Sequence, residues 1–249
     1  QRQRCIRDSL YAGVAEALSL IGTTLHHIGD EALAGTLKVR VMPSFATKWL
    51  LPRLAAFNRA FPDIQLQVDA NLAPPNFKGD EVDLAVTSIW TDDARLAQRH
   101  LFEDLIYPVA SPALLARCPL HDYADLAGTT LLHDSMPHAA YSTNWDAFLS
   151  RQGRYDVDTR GGCGYSRADL VQQAACNGQG VALVRHSLCA DDLRQSILCR
   201  PFADVLHDGQ VWLVCPQDYV ERPRVQAFAE WLQAEVGQHL QDRQTLLGA

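Results

Sequence analysis

Two serines lie where a strand-like run passes into a helix-like run, and a serine there can attack a substrate, bind a ligand or cap a helix. Ser44 follows the apolar run LKVRVM within the stretch VRVMPSFATKWLLPRL. The sequence around it is not the G-x-S-x-G of a nucleophile elbow. Its side chain can cap the next helical turn, while neighbouring N–H groups and the positive end of the helix dipole suit a carboxylate or phosphate. Ser44 is therefore either a plain cap or part of an anion site.

Ser166 is the better candidate for a nucleophile. Residues 164–168, GYSRA, form a loose G-x-S-x-A, and Asp191 or Asp192 and then His207 follow in the order of a serine hydrolase. However, the sequence has no HGGG-type oxyanion loop, and Asp and His are common enough to follow most serines. A hydrolase stays open as a minor hypothesis, which a generic ester and the Ser166→Ala variant would test.

Other signals of cofactor or metal chemistry are absent from the sequence. It contains no P-loop, no G-x-G-x-x-G after a strand and no H-E-x-x-H. Its seven cysteines are scattered without a C-x-x-C pair, which argues against a disulfide framework or a zinc ribbon. We expect no cofactor and no metal. His133 can reach a cleft or pack beside Asp134, and Trp212 is the tryptophan that could reach into a cleft.

The composition indicates a globular protein and excludes several classes. The 249 residues are 47% apolar and 20% charged, enough for one large core or two medium ones. A net charge of −7 disfavours direct binding to a nucleic-acid backbone. Because the sequence has neither an apolar run of about 18 residues nor a signal-peptide pattern, we expect a soluble, cytoplasmic protein without a membrane partner.

The N-terminal segment has the spacing of a pairing helix. Six apolar residues at intervals of 3, 4, 3, 4 and 3 form a narrow a/d seam: Tyr11, Val14, Leu18, Ile21, Leu25 and Ile28. Such a seam predicts a helix that packs against a partner helix. Gly13 and Gly22 weaken this helix, so a helix docked on its own domain remains the alternative.

Strand-like and helix-like runs alternate from Thr36 onward, which is the βαβ signature of an α/β fold. We predict a helical first turn at 45–48 and a main helix that starts near Pro52 and stops at Phe61. A second alternation follows Ser111. Two α/β lobes of about one hundred residues each are the natural reading of the length.

Eight of these runs, in this order and spacing, resemble the LysR-type transcriptional regulators without their N-terminal winged helix-turn-helix. They are similar to the subgroup of the glycine-cleavage activator and the β-lactamase regulator over nearly the whole chain: VMPSFATKWLLPRLAAFNRAFPDI, EVDLAV, YPVASPALL, DLAGTTLLHD, LVQQAACNGQGVALV, ILCRPFADVL, WLVCP and VQAFAEWL.

The resemblance implies a periplasmic-binding-protein type II fold, with two Rossmann-like lobes joined by two crossovers and preceded by part of a linker helix. It assigns residues 1–34 to the end of the linker and dimerisation helix, 35–110 to lobe I, 111–209 to lobe II and 210–249 to a return segment that completes lobe I. The DNA-binding domain would lie outside this chain, which agrees with the net negative charge of the chain itself.

The resemblance also implies an effector site between the lobes. The Phe-Ser-x-Ser-Ser pattern of the family reads here as Tyr-Ser-Arg-Ala-Asp at 165–169, and Trp212 takes a position usually held by Tyr. The chain departs from the subgroup at 87–89 and in a longer segment, SMPHAAYSTN, so the effectors of the subgroup are not transferred. The predicted effector site is Ser44, Phe45, Ala46, Thr87, Ser88, His133, Ser166, Arg167 and Trp212.

These expectations describe an effector-sensing and oligomerisation domain of a bacterial transcription regulator, not an enzyme, that binds a small anionic metabolite. Its partners would be the effector, further copies of itself in a dimer or tetramer, promoter DNA through the missing domain, and RNA polymerase. The alternative is a stand-alone solute-binding protein of the same fold, which would need export and would leave the heptad seam unexplained.

We predict that this chain forms dimers or larger assemblies at high concentration, because the a/d seam needs a partner helix. Light scattering coupled to size exclusion measures its mass directly. A strictly monomeric chain would count heavily against the regulator and in favour of the solute-binding protein.

Overall fold

The computed structural model describes residues 33–77, 81–135 and 144–248. The predicted heptad seam at 11–28 lies outside these residues. The strands are β1 (Gly35–Val41), β2 (Ile64–Ala70), β3 (Leu84–Thr87), β4 (Leu96–Val109), β5 (Leu131–Asp134), β6 (Cys163–Tyr165), β7 (Val181–Arg185) and β8 (Leu206–Pro216).

Helices connect most of these strands, as the sequence alternation predicts. Helix α1 contains a first turn (Pro43–Phe45), a π-helical segment (Ala46–Leu50) and an α-helix (Leu51–Ala60). It is followed by α2 (Pro112–Arg117), α3 (Trp145–Arg151), α4 (Ala168–Cys176), α5 (His186–Arg194) and α6 (Pro223–Leu247). Short 3₁₀ turns lie at Tyr123–Gly128 and Gln217–Tyr219.

Helix α1 is continuous where the sequence suggested a separate first turn. Pro52 has no N–H and cannot bond to the carbonyl of Lys48, so the helix is wider over the π-helical turn just before it. The predicted end is confirmed, because Phe61 leaves the helical conformation while its N–H still donates to the Phe57 carbonyl at 2.8 Å.

The strands form one mixed eight-stranded sheet in the order β2-β1-β3-β8-β4-β7-β5-β6. The long antiparallel strands β4 and β8 are the two crossovers, and their ladder shifts register between His100 and Phe102 and between Glu103 and Leu105. Such bulges bend a sheet and increase its twist. The expected α/β fold with two crossovers is confirmed, and backbone hydrogen bonds continue through the crossovers from one half of the sheet to the other.

Each half nevertheless has its own core. The core of the first half is built on residues 37–102 and 211–236, with Trp49, Phe57 and Phe228 fully buried. The second half is built on residues 107–202, where two clusters surround Tyr107 and Trp145. Burying one large apolar side chain stabilises a fold by about 1.5–3 kcal/mol, so each half has substantial apolar stabilisation of its own.

Two buried histidines meet where the halves join. The ring of His186, at the start of α5, lies 5.1 Å from the ring of His239 on α6, and His186 Nδ1 is 2.6 Å from the Tyr107 hydroxyl. Burial, with a smaller contribution from nearby positive charges such as the guanidinium of Arg243, lowers the pKa of His186 to about 4 and that of His239 to about 3. Both imidazoles are therefore neutral at physiological pH.

We predict that acid destabilises this junction before most carboxylates are protonated. The unfolded histidines bind protons below pH 6.5, whereas the folded ones resist protonation until about pH 4 and 3. Stability therefore falls as pH drops through this window, by up to about 1.4 kcal/mol per pH unit for each histidine. Urea unfolding between pH 7 and 4.5 measures the slope. The His239→Gln variant should have a shallower slope, whereas His121→Gln, at an exposed position, should match the wild type.

Candidate functional site

A cavity of about 310 Å³ lies between the two halves. Strands β1 and β3 run parallel, so their carboxyl ends meet at one edge of the sheet. Ser44, which follows β1, and Thr87, the last residue of β3, both line the cavity. The second half contributes residues from the starts of α4 and α5, including Arg167 and Ser187. Open α/β sheets bind ligands in this position, beyond the carboxyl ends of their strands.

Ser44 joins the halves instead of capping its own helix. Its hydroxyl donates to Asp169 Oδ1 at 3.0 Å and accepts from the Asp169 backbone N–H at 3.2 Å. Helix α1 starts after Met42, and no side chain caps it. The expectation of a cap at Ser44 is thus wrong, because the hydroxyl reaches across the cleft to the first turn of α4.

Asp169 places a carboxylate of the chain itself in the position where the sequence predicted an external anion. The residue is 7% exposed, and its Oδ1 also accepts from Arg167 Nε at 2.9 Å. Burial by itself would raise the pKa of Asp169, but hydrogen bonds from Arg167 and Ser44 outweigh it and hold the pKa below its usual range. This carboxylate is therefore ionised at neutral pH.

Other charges in the cavity wall have partners within the chain. Arg40 Nε lies 2.7 Å from Asp69 Oδ2, and Arg185 Nε lies 2.9 Å from Asp208 Oδ2. Asp104 also lines the cavity.

Asp104 is held at the junction of the halves. Its Oδ1 accepts from the backbone N–H of Ser187 at 3.1 Å and from that of Leu105 at 2.9 Å, and its Oδ2 accepts from the Ser187 hydroxyl. Burial raises the pKa of Asp104, although these bonds and Arg185 oppose the rise. The Asp104 carboxyl group thus accepts hydrogen bonds from the first turn of α5.

Two ion pairs add to the contact between α1 and the second half. Arg53 Nη1 lies 3.3 Å from Asp191 Oδ2, and Lys48 Nζ lies 3.9 Å from Asp192 Oδ2. Together with Ser44, these side chains hold α1 against α4 and α5. The cleft is thus bounded by polar contacts that water or a ligand can replace.

Five of the predicted effector residues meet at this cavity: Ser44, Phe45, Thr87, Ser88 and Arg167. They come from three separate segments of the chain. Residues that follow parallel strands converge in this way because the sheet aligns the ends of those strands.

The other four predicted residues do not line the cavity. Ala46 faces the core of the first half, and Ser166 is exposed to solvent. For His133 and Trp212, an adjacent residue of the same strand faces the cavity instead, because successive side chains of a strand point to opposite faces of the sheet. Asp134 and Val211 line the cavity, whereas His133 Nε2 lies 2.8 Å from the Gly161 carbonyl and the Trp212 ring packs 4.8 Å from that of Trp90.

The charged residues Asp104, Asp169, Arg185 and Asp208 were not predicted as site residues. Arg185 ends β7, so a strand-end rule could have found it. Asp169 could have been found three positions after Ser166, in the segment already compared with the family. No sequence signal marks Asp104, which lies inside the long strand β4.

The residues of the hydrolase hypothesis do not form a triad. Asp191 is held by Arg53 and Arg194, and His207 Nδ1 lies 3.1 Å from Glu103. Within the described ranges no hydrogen bond links Ser166, Asp191 or Asp192, and His207 to one another.

Across the same ranges, no helix is both long and apolar enough to cross a membrane.

Comparisons with known proteins agree on one family. Residues 30–237 match the model of the LysR substrate binding domain. The glycine cleavage system transcriptional activator of Escherichia coli K12 is 31% identical over 230 residues, which cover 92% of this chain and 74% of the relative. The transcriptional activator AmpR of Rhodobacter capsulatus is 28% identical over 226 residues, covering 90% of this chain and 74% of that protein.

A solved structure gives the same result. The effector domain of the transcriptional regulator AmpR of Pseudomonas aeruginosa superposes with a TM-score of 0.67 at 26% identity, covering 84% of this chain and 99% of that one. The relatives compared here are transcriptional regulators.

We predict that Ser44→Ala destabilises the chain by about 1–2 kcal/mol, because a hydrogen bond to a charged group is lost from Asp169. Thr47→Ala is the matched control: it removes a hydroxyl from the same helix, but one that bonds only to the Pro43 carbonyl at 3.0 Å and is exposed. Urea unfolding compares the two. Equal losses of unfolding free energy in the two variants would show that the hydrogen bond between Ser44 and Asp169 does not stabilise the chain more than the exposed Thr47 bond does.

Proposed function

Because this chain belongs to the LysR substrate-binding domain family, we propose that it senses a small-molecule effector in the cavity between its halves and transmits the binding event to a transcription regulator. The observation that carries this proposal is the cavity itself, which residues of both halves line. A ligand in contact with both halves binds some of their relative arrangements more tightly than others, and only such a difference can shift a conformational equilibrium.

The crossover strands provide the mechanical basis of the proposal. The two shifts in the β4–β8 ladder lie between His100 and Leu105, next to the cavity residue Asp104. A change in the angle between the halves would bend the sheet there and replace polar contacts of α1 with ligand contacts. To shift two arrangements of the halves from a ratio of 1:99 to 99:1, an effector would have to bind one of them about 5.5 kcal/mol more tightly than the other. An effector with a smaller difference in affinity would change the populations of the two arrangements without converting one fully into the other.

The proposed partners follow from the family. The chain spans 74% of the glycine-cleavage activator. We place promoter DNA binding in the part of such a regulator outside this chain, and we propose a homodimer or homotetramer in the cytoplasm, with RNA polymerase as a further partner. Residues 35–110 and 210–249 would move as lobe I and 111–209 as lobe II, with 1–34 as the end of the dimerisation helix.

The test is a thermal-shift screen of amino acids, peptidoglycan fragments and aromatic acids, followed by calorimetry of each hit. A ligand at 100 times its Kd should stabilise the chain by about 2.7 kcal/mol. Ser88→Trp should abolish this stabilisation, because Ser88 lines the cavity and an indole would fill part of it.

Ser150→Trp is the matched control, since Ser150 is exposed on α3 and does not line the cavity. It should bind each hit as the wild type does. Hits that bind Ser88→Trp at full strength would exclude the cavity as the effector site.

A further inference from the structure

A carboxylate of the chain, Asp169, binds two residues that line the cavity, Ser44 and Arg167. Resting on the proposed function, we propose that Asp169 sets the charge selectivity of the site: the effector has an apolar body and carries no net negative charge. This replaces the sequence-based expectation of an anionic metabolite beside Ser44.

The first step of the argument is the occupancy of the groups that would attract an anion. Asp169, itself in the first turn of α4, accepts hydrogen bonds from the hydroxyl of Ser44 and the guanidinium of Arg167. A tethered carboxylate has an effective concentration of at least about a millimolar, whereas a metabolite must compete from solution. An external carboxylate would therefore have to displace Asp169 before it could bind.

The second step extends this to the rest of the wall. Arg40 and Arg185 also bind carboxylates of the chain, and the Ser187 N–H in the first turn of α5 donates to Asp104. Each guanidinium in the described part of the wall thus already has a carboxylate partner: Arg40 with Asp69, Arg167 with Asp169 and Arg185 with Asp208. An incoming carboxylate must therefore compete with a carboxylate of the chain at each of these groups.

The third step concerns the apolar part of the cavity wall. Apolar residues of the first half line the cavity, among them Met42, Leu72, Ala73, Pro75 and Ile89. Leu72 is 49% exposed and Ile89 42% exposed, so large apolar side chains remain open to water beside the cavity. A hydrocarbon group that covers them gains about 25 cal/mol for each Å² removed from water.

The experiment compares three probes with one carbon skeleton, namely hexylamine, norleucine and hexanoate, by titration calorimetry at neutral pH. For the wild type, we expect hexylamine and norleucine to bind at least about tenfold more tightly than hexanoate, the scale of one charge-assisted hydrogen bond. In Asp169→Asn the affinity for hexanoate should rise by about tenfold or more, because Ser44 and Arg167 no longer hold a carboxylate.

Asp158→Asn is the matched control. It makes the same chemical change at an exposed residue that pairs with Arg160 and does not line the cavity, so its selectivity should equal that of the wild type. The Asn side chain keeps an acceptor for the Ser44 hydroxyl, and Asp169→Ser is a second variant should the first fail to fold.

Three results would overturn the inference: hexanoate binding to the wild type as tightly as hexylamine, an unchanged preference in both Asp169 variants, or no binding of any probe to any of these proteins. Combining each variant with Ser88→Trp separates the two proposals. Hexanoate binding that Ser88→Trp abolishes would refute the charge selectivity and leave the cavity as the effector site, whereas probe binding that survives Ser88→Trp would refute the site itself.

Discussion

The antiparallel pairing of β4 with β8 is the constraint on which the rest of the structure depends. It runs from Leu96 opposite Pro216 to Ile106 opposite Leu206 and connects two cores that otherwise pack separately. A slip of one residue would turn every side chain of a strand to the other face, so buried residues such as Phe102 and Val211 hold the register. The cavity exists because this ladder keeps the two halves adjacent without merging their cores.

The contacts on the two sides of the cavity differ in kind. On the β4–β8 side the halves share backbone hydrogen bonds, whereas on the α1 side they share the Ser44–Asp169 bond and a few ion pairs. Partly exposed ion pairs contribute about 0–1 kcal/mol each, which a small ligand can replace. A bent ladder with exchangeable contacts opposite it is a physical basis for sensing, and it makes Asp169 a competitor of any anion that enters.

Much of the fold could be predicted because its signals are local. Alternation of strand and helix patterns gave the α/β class, Phe61-Pro62 marked the end of α1, and turn residues separated the later elements. The strand-end rule brought Ser44, Thr87, Ser88 and Arg167 to one cavity. His133 and Trp212 do not line the cavity although they were expected to, since an error of one residue reverses the facing of a strand side chain.

The sequence by itself determined which residues stand at the carboxyl ends of strands and that the chain belongs among the LysR-type effector domains. Only the tertiary structure decided that Ser44 bonds to Asp169, because 125 positions separate them and the chemistry of either residue allows many partners. It also decided that the two halves share one sheet and that the cavity already contains a carboxylate. Local pattern sets the type and ends of an element, whereas the pairing of distant polar groups depends on how the whole chain packs.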